Sequence, residues 1–282
     1  MRHLILGAGN LGHDLKIELE KKASCELWSK SSGVDFTKYF ELLIAIKQHA
    51  PDFLWLSVGG GSVPDCKVGH PNHPHSVFLN TILPVSLNRD LPESMKIIFF
   101  STDYVAGEGD PNNRNLVVKK PRSEYAKQKI DMERQIITEN KPNRTIVRVS
   151  SLYGIHKPEK TFPGKILKNF AHSNIKINLP LNRVSPTPTR WLAFCLNKNL
   201  DKFVSRETER QHCAASGNIS VKDWGKVILK NHRSHEDFVH SSPVFIDDER
   251  PPVSDLGCSF DLAPHWSDLW AIYFKEELYL KA

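Results

Sequence analysis

Three groups of residues in this chain have the types and spacing to do chemistry together. The first is the glycine-spaced run Gly7-Ala8-Gly9-Asn10-Leu11-Gly12. The second is Thr102, inside Ser101-Thr102-Asp103-Tyr104-Val105. The third is Tyr125 and Lys129, an i,i+4 pair on one helical face within Tyr125-Ala126-Lys127-Gln128-Lys129.

A GxGxxG run that leaves a strand and opens a helix offers unpaired N–H groups at the positive helix end to an anion. Gly7 permits the tight turn, Gly9 lets a diphosphate touch the backbone with no Cβ between, and Gly12 lets helix pack on strand. With Asn10 and Leu11, these residues form the expected contact with a nicotinamide dinucleotide. Taken alone the pattern would also suit a structural turn; the strand before it and the helix after it favour the dinucleotide. At the end of the second strand an NAD enzyme usually carries an acid for the ribose 2′-hydroxyl. Here Ser29-Lys30-Ser31-Ser32 follows Leu27-Trp28 instead, and Glu26 lies back within the strand. Hydroxyls and an ammonium suit a 2′-phosphate, so NADP(H) is the expected cofactor, with NAD(H) as the alternative.

Reduction of a ketone needs an acid that delivers a proton to oxygen as hydride reaches carbon. A free tyrosine, with a pKa of about 10, exchanges protons poorly at neutral pH. A neighbouring ammonium and an oxidised nicotinamide both lower that value. Lys129 is spaced to do this and to hold the nicotinamide ribose. Thr102 is placed to polarise the substrate oxygen, and Asn80 to anchor a water linking Lys129 to solvent. YxxxK alone occurs by chance on many helices; its position behind the glycine turn gives it weight.

Positioning these groups requires alternating strands and helices. Apolar runs at 2–6, 25–28, 52–57, 95–100 and 145–149 read as strands, and stretches at 11–22, 36–49, 75–88 and 122–139 as helices. Such alternation predicts an α/β, Rossmann-type doubly wound parallel sheet. Beyond residue 155 prolines cluster and elements shorten. Residues 1–155 are therefore expected to form the NADP-binding, catalytic domain. Residues 156–282 are expected to form mainly a smaller C-terminal α/β substrate lobe, with segments free to return to the first domain.

At 282 residues, 40% hydrophobic and 25% charged, the composition is that of a globular protein. No run reaches the roughly 20 apolar residues that span a bilayer. The net charge of +6 is spread along the chain with no basic helix, which fits an anionic small molecule better than nucleic acid. Five scattered cysteines without a CxxC pair point to free thiols and a cytoplasmic setting. His70-Pro71-Asn72-His73-Pro74-His75 invites a metal reading, but its prolines break the ligand spacing, and no metal site is expected. Trp266, Trp270, Tyr273 and Phe274 recur at helical spacing, as a packing face would.

The motifs together resemble the extended short-chain dehydrogenase/reductases, and within them the dTDP-4-dehydrorhamnose reductase family. Ser101-Thr102-Asp103-Tyr104-Val105 followed by Tyr125-xxx-Lys129 carries the resemblance most specifically. Arg148-Val149-Ser150-Ser151-Leu152-Tyr153-Gly154, Val184-Ser185-Pro186-Thr187, Arg250-Pro251 and Pro264-His265-Trp266 extend it along the chain. The resemblance implies Thr102, Tyr125 and Lys129 as the catalytic group, with NADPH reducing a keto group on a nucleotide-linked sugar. It implies Asp103, Tyr104, Ser185 and Arg250 at the substrate, in a monomer or homodimer. A sister epimerase or dehydratase and a non-catalytic NADP-binding regulatory subunit are the alternatives. The chain departs from the family in its glycine turn, one residue short of GxxGxxG, and in Gly59-Gly60-Gly61 where an alanine-rich run is usual. Those glycines, Gly59 foremost, are expected to give a flexible floor beside the cofactor. Ser151 and Trp191 stand where a tryptophan and an aspartate are common.

Overall fold

The protein is described by a computed structural model covering residues 1–106, 121–172, 179, 181–230, 253–260 and 263–277. The chain opens β1 (Arg2–Leu6), α1 (Asn10–Leu19), β2 (Ser24–Trp28), α2 (Tyr39–His49) and β3 (Phe53–Leu56). There follow α3 (His73–Val77), a π-helical turn (Phe78–Ile82), α4 (Leu83–Asp90), β4 (Lys96–Thr102), α5 (Glu124–Glu139) and β5 (Arg144–Val149). Five of these strands and β9 (Glu209–His212) form one sheet in the order β2-β1-β3-β4-β5-β9, parallel throughout. The chain reverses its winding between β1 and β3, where open α/β sheets bind ligands at the carboxyl ends of their strands.

Period-two alternation sorts the strand side chains into two layers. Ile5, Phe53, Trp55, Ile98, Phe100 and Val147 face the layer holding Leu11, Leu15 and Leu19 of α1 and Leu192 and Leu196 of α7 (Thr189–Lys198). Leu4, Leu6, Leu54, Leu56, Ile97, Phe99 and Ile146 face the opposite layer, with Leu42 and Ile46 of α2, Leu83 and Leu87 of α4, and Met132 and Ile136 of α5. Both faces are covered, so the strands read as unbroken apolar runs. Among the described residues no helix is long and apolar enough to cross a membrane.

Two segments beyond residue 155 return to this body: α7 packs on α1, where the Thr189 hydroxyl donates to Asp14, and β9 extends the sheet beside β5. A third cluster holds Tyr153, Ile166, Val221, Trp224, Ile228 and Trp270, with Trp224 against Tyr153, Phe162 and Trp270. It joins α6 (Phe162–His172), α8 (Val221–Lys230) and α9 (Trp266–Glu277) with the short pairs β10 (Ile219–Ser220) to β7 (Arg183–Val184) and β6 (Leu152–Tyr153) to β8 (Thr187–Pro188). Of the C-terminal aromatic stripe, Trp270 is buried and Trp266 and Tyr273 pack partly buried against the core, while the Phe274 side chain lies outside the described residues.

The stretch 75–88, expected as one regular helix, is interrupted by the π turn at Phe78–Ile82. Pro84 follows two residues after it, as the second residue of α4. Its ring has no N–H and crowds the carbonyl four residues back, and one wider turn relieves that conflict.

Glu133 of α5 is 1% exposed and takes two bonds from the fully buried Arg148 of β5, at 2.9 and 2.6 Å. Arg210 of β9 approaches the same carboxylate at 3.2 Å. The two guanidinium groups hold the Glu133 carboxyl below the usual carboxylate range, against a burial that pushes it up. Replacing Glu133 by Leu strands two cations and is expected to cost about 3–5 kcal/mol in urea unfolding. The double variant Glu133→Leu/Arg148→Met should recover most of that loss.

Candidate active site

Gly7 has φ +111°, and a Cβ there would lie 2.6 Å from the Val58 nitrogen. At Gly12 a Cβ would lie 1.9 Å from the Gly7 carbonyl oxygen. At Gly9, the N-cap of α1, a Cβ would meet nothing within 4 Å. Gly7 and Gly12 are thus required by the turn itself, whereas Gly9 opens onto free space. That space is a cavity of about 940 Å³ lined by Gly7, Gly9, Asn10, Ser29, Lys30, Ser31 and Gly59. Leu11 and Gly12 do not line it; Leu11 is buried in the core. The bare glycine floor at a helix start, ringed by hydroxyls and ammonium groups, fits a dinucleotide diphosphate.

Asn10 has a second duty. Its amide oxygen accepts from the Lys157 N–H at 2.8 Å and its NH₂ donates to the Lys157 carbonyl at 3.0 Å. This reciprocal pair ties the glycine turn to the segment that brings Lys157 and Lys160 to the cavity wall. A Cβ on Gly59 would meet only Asn80 Oδ1, at 3.9 Å, whereas the next two glycines are closely packed. A Cβ on Gly60 would lie 2.4 Å from Ser76 Cα, and Gly61 has φ +95°. Asn80 accepts the Gly60 N–H at 3.0 Å and donates to Gln128 at 2.8 Å. It therefore braces this loop.

A second cavity, about 660 Å³, is lined by Thr102, Asp103, Tyr104, Tyr125, Ser151, Lys160, Phe162, Lys165 and Trp224, among others. Gly61, Ser62, Lys160 and Lys165 line both cavities, so the two meet there. Thr102 ends β4 and donates its hydroxyl to Asp103 Oδ1 at 3.0 Å. Asp103 Oδ2 accepts from Ser150 at 2.7 Å. Tyr125 enters from the first turn of α5, which Ser123 caps by accepting the Ala126 N–H at 3.1 Å. Its ring meets Tyr104 edge-on at 5.5 Å and 85°.

Lys129 lies behind the cavity wall, 6% exposed, donating to the Phe100 carbonyl at 3.1 Å. It thus points at the backbone of β4 rather than into cofactor space. Burial pushes its pKa down to about 8, opposed by the nearby charge of Glu133. Ser185 is fully buried; its N–H approaches Ser150 Oγ at 3.4 Å and its hydroxyl donates to the Gly217 carbonyl at 2.7 Å. It braces Asp103 through Ser150 and does not line the cavity. Arg250 lies outside the described residues. Trp191 is a core residue beneath α1, 7% exposed. Ser151 does line the cavity, with a left-handed φ of +36°.

Sequence reasoning misses Lys160, Lys165, Phe162 and Trp224 at this site; the recurrence of lysine after β5 is the one signal that points there. Cysteines 195, 213 and 258 are also not scattered in space. Their sulfurs lie within 4.8 Å of one another, and none of the five cysteines is in a disulfide.

Residues 87–259, more than half of the chain, match the family model described as RmlD substrate binding domain. No curated protein matches the sequence. Among solved structures, the chain is similar to a dTDP-4-dehydrorhamnose reductase of Clostridium acetobutylicum, with a TM-score of 0.82 and 21% identity over 98% of this chain and 99% of that one. The Bacillus anthracis dTDP-4-dehydrorhamnose reductase in complex with NADP gives 0.81 and 21% over the same shares. The UDP-glucuronic acid 4-epimerase of Bacillus cereus, in complex with UDP-glucuronic acid and NAD, gives 0.75 and 14% over 99% and 100%.

Two outcomes test this geometry. Gly7→Ala and Gly12→Ala should each destabilise by about 1–3 kcal/mol. Gly9→Ala should stay within about 0.5 kcal/mol of the parent yet weaken NADPH binding about tenfold or more, by urea unfolding and fluorescence titration. Lys129 has a folded pKa of about 8 against 10.5 unfolded, so between these values the unfolded chain binds more protons and stability rises with pH. Relative to Lys129→Met, the parent should gain up to about 3 kcal/mol from pH 7 to 10.5.

Proposed function

From the premise that this chain belongs to the RmlD substrate binding domain family, we propose that it is an NADPH-dependent reductase of a keto group on a nucleotide-linked sugar. The observation that carries this is the joining of the two cavities. The glycine-turn cavity and the Thr102–Tyr125 cavity share a wall at Gly61, Ser62, Lys160 and Lys165. A dinucleotide in the first therefore has its reactive end beside a carbonyl compound in the second.

Gly7, Gly9 and the first N–H groups of α1 hold the diphosphate, and Ser29, Lys30 and Ser31 face the adenosine ribose. Glu26, the acid nearest those three residues in sequence, is turned to the Trp28 indole at 2.9 Å, and the carboxylates that do line the cavity come from Asp65, bound to Ser62, and from Glu159. That arrangement favours a 2′-phosphate over a bare hydroxyl. When bound, the reduced nicotinamide supplies a hydride. Tyr125 gives its phenolic proton to the carbonyl oxygen, and the resulting phenolate is stabilised by the Lys129 ammonium one turn away. For Thr102 to polarise the oxygen, its hydroxyl turns from Asp103 toward the substrate, while Ser150 keeps the carboxylate in place. Lys160 and Lys165 supply positive charge for the substrate diphosphate, and Phe162 and Trp224 an apolar wall for its sugar or base.

Assayed by NADPH oxidation against a panel of 4-keto nucleotide sugars, Tyr125→Phe should lower kcat by about 100-fold or more with NADPH affinity unchanged. Turnover unaffected by that change would remove the mechanism. Lys30→Ala should reduce the preference for NADPH over NADH about tenfold. NAD retained through purification would support the epimerase alternative, and cofactor binding without turnover on any substrate the regulatory one.

A further inference from the structure

Three elements far apart in sequence bring one thiol each to a single point. Cys195 comes from α7, Cys213 directly follows β9, and Cys258 lies in the 253–260 segment. Cys195 and Cys213 are buried and Cys258 is half-buried. The Cys195–Cys258 and Cys213–Cys258 sulfurs are each 3.7 Å apart, and no pair exceeds 4.8 Å. The backbone fixes two of them: Cys213 and Cys258 face each other across an antiparallel bridge. It is flanked by Ala214 N–H to the Gly257 carbonyl at 2.9 Å and Ser259 N–H to the His212 carbonyl at 2.8 Å. That is the pairing in which facing side chains approach most closely. The third is held from its own helix, where Asn199 donates to the Cys195 carbonyl at 2.8 Å.

We propose that Cys195, Cys213 and Cys258 form a three-thiolate site for one zinc ion. Zn–S bonds of about 2.3 Å in a tetrahedron place sulfurs about 3.8 Å apart. Two edges of the cluster already have that length, and the third closes by a movement of about 1 Å or less. The fourth vertex lies on the side of the half-buried Cys258, where water completes the shell. Binding forms three Zn–S bonds, breaks three S–H bonds and releases three protons, with no change of oxidation state. Burial holds the Cys213 thiol well above its ordinary value, and the cation offsets that cost by stabilising the thiolate. The ion would join α7 and the end of β9 to the segment carrying Ser254, whose hydroxyl lies 3.1 Å from Ser150 beside Asp103.

The full-length protein, reduced and stripped of metal, is titrated anaerobically with Co²⁺ and then Zn²⁺. One equivalent of Co²⁺ should produce a sulfur-to-cobalt charge-transfer band and tetrahedral d–d bands, which one equivalent of Zn²⁺ abolishes. Zn²⁺ should also raise Tm by a few degrees and protect three of the five thiols from a thiol reagent. Cys195→Ala, Cys213→Ala and Cys258→Ala should each weaken binding by about 100-fold or more, and Cys25→Ala should leave it unchanged. The band intensity and thiol protection of the parent protein test the site even if a variant misfolds. Absence of a one-to-one complex, binding that survives Cys258→Ala, or a Cys213–Cys258 disulfide in place of metal uptake would overturn the proposal.

Discussion

The carboxylate of Glu133 is the fixed point about which the site is arranged. It sits in the layer between α5 and the sheet, gripped from β5 by Arg148 and approached from β9 by Arg210. An ion cluster of this kind adds little net stability over a well-packed apolar replacement, but it is expensive to break. Its value here is directional. Tyr125, Lys129 and Glu133 recur every four residues on one face of α5, so a carboxylate that binds at one rotation of the helix aims the other two toward the end of β4. The same charge lies close enough to Lys129 to oppose the loss of its proton.

Around that point the protein accepts local costs. Lys129 is a buried ammonium that donates to a main-chain carbonyl, and Ser151 holds a backbone conformation that L-residues avoid. Such costs cluster where ligands bind because the surrounding packing over-determines the geometry. The two apolar layers provide that packing. The chain of Ser185, Ser150 and Asp103 adds rigidity from behind, with each member satisfied by another buried polar group.

The sequence is most informative where the physics is local. The glycine turn, the strand runs through β5 and the Tyr125–Lys129 spacing all depend on neighbours within a few residues, and they lie as expected. β9 escapes a pattern search because its four residues, Glu209-Arg210-Gln211-His212, contain no apolar run; it joins the sheet through backbone bonds and a salt bridge. The thiol cluster is invisible in sequence because its members come from three separate elements. Motif position alone points Asn80 and Ser185 at the site, whereas their hydrogen bonds turn them to bracing loops. Composition does not show that Gly60 lies so close to Ser76 that no side chain fits there.

The wall shared by the two cavities has a thermodynamic consequence. Ligands occupying both cavities would share the wall of Gly61, Ser62, Lys160 and Lys165, and their binding would then be energetically coupled. Whatever one ligand does to those ammonium groups alters the affinity of the other by the same factor in both directions. A titration of either cavity is therefore also a measurement on the other.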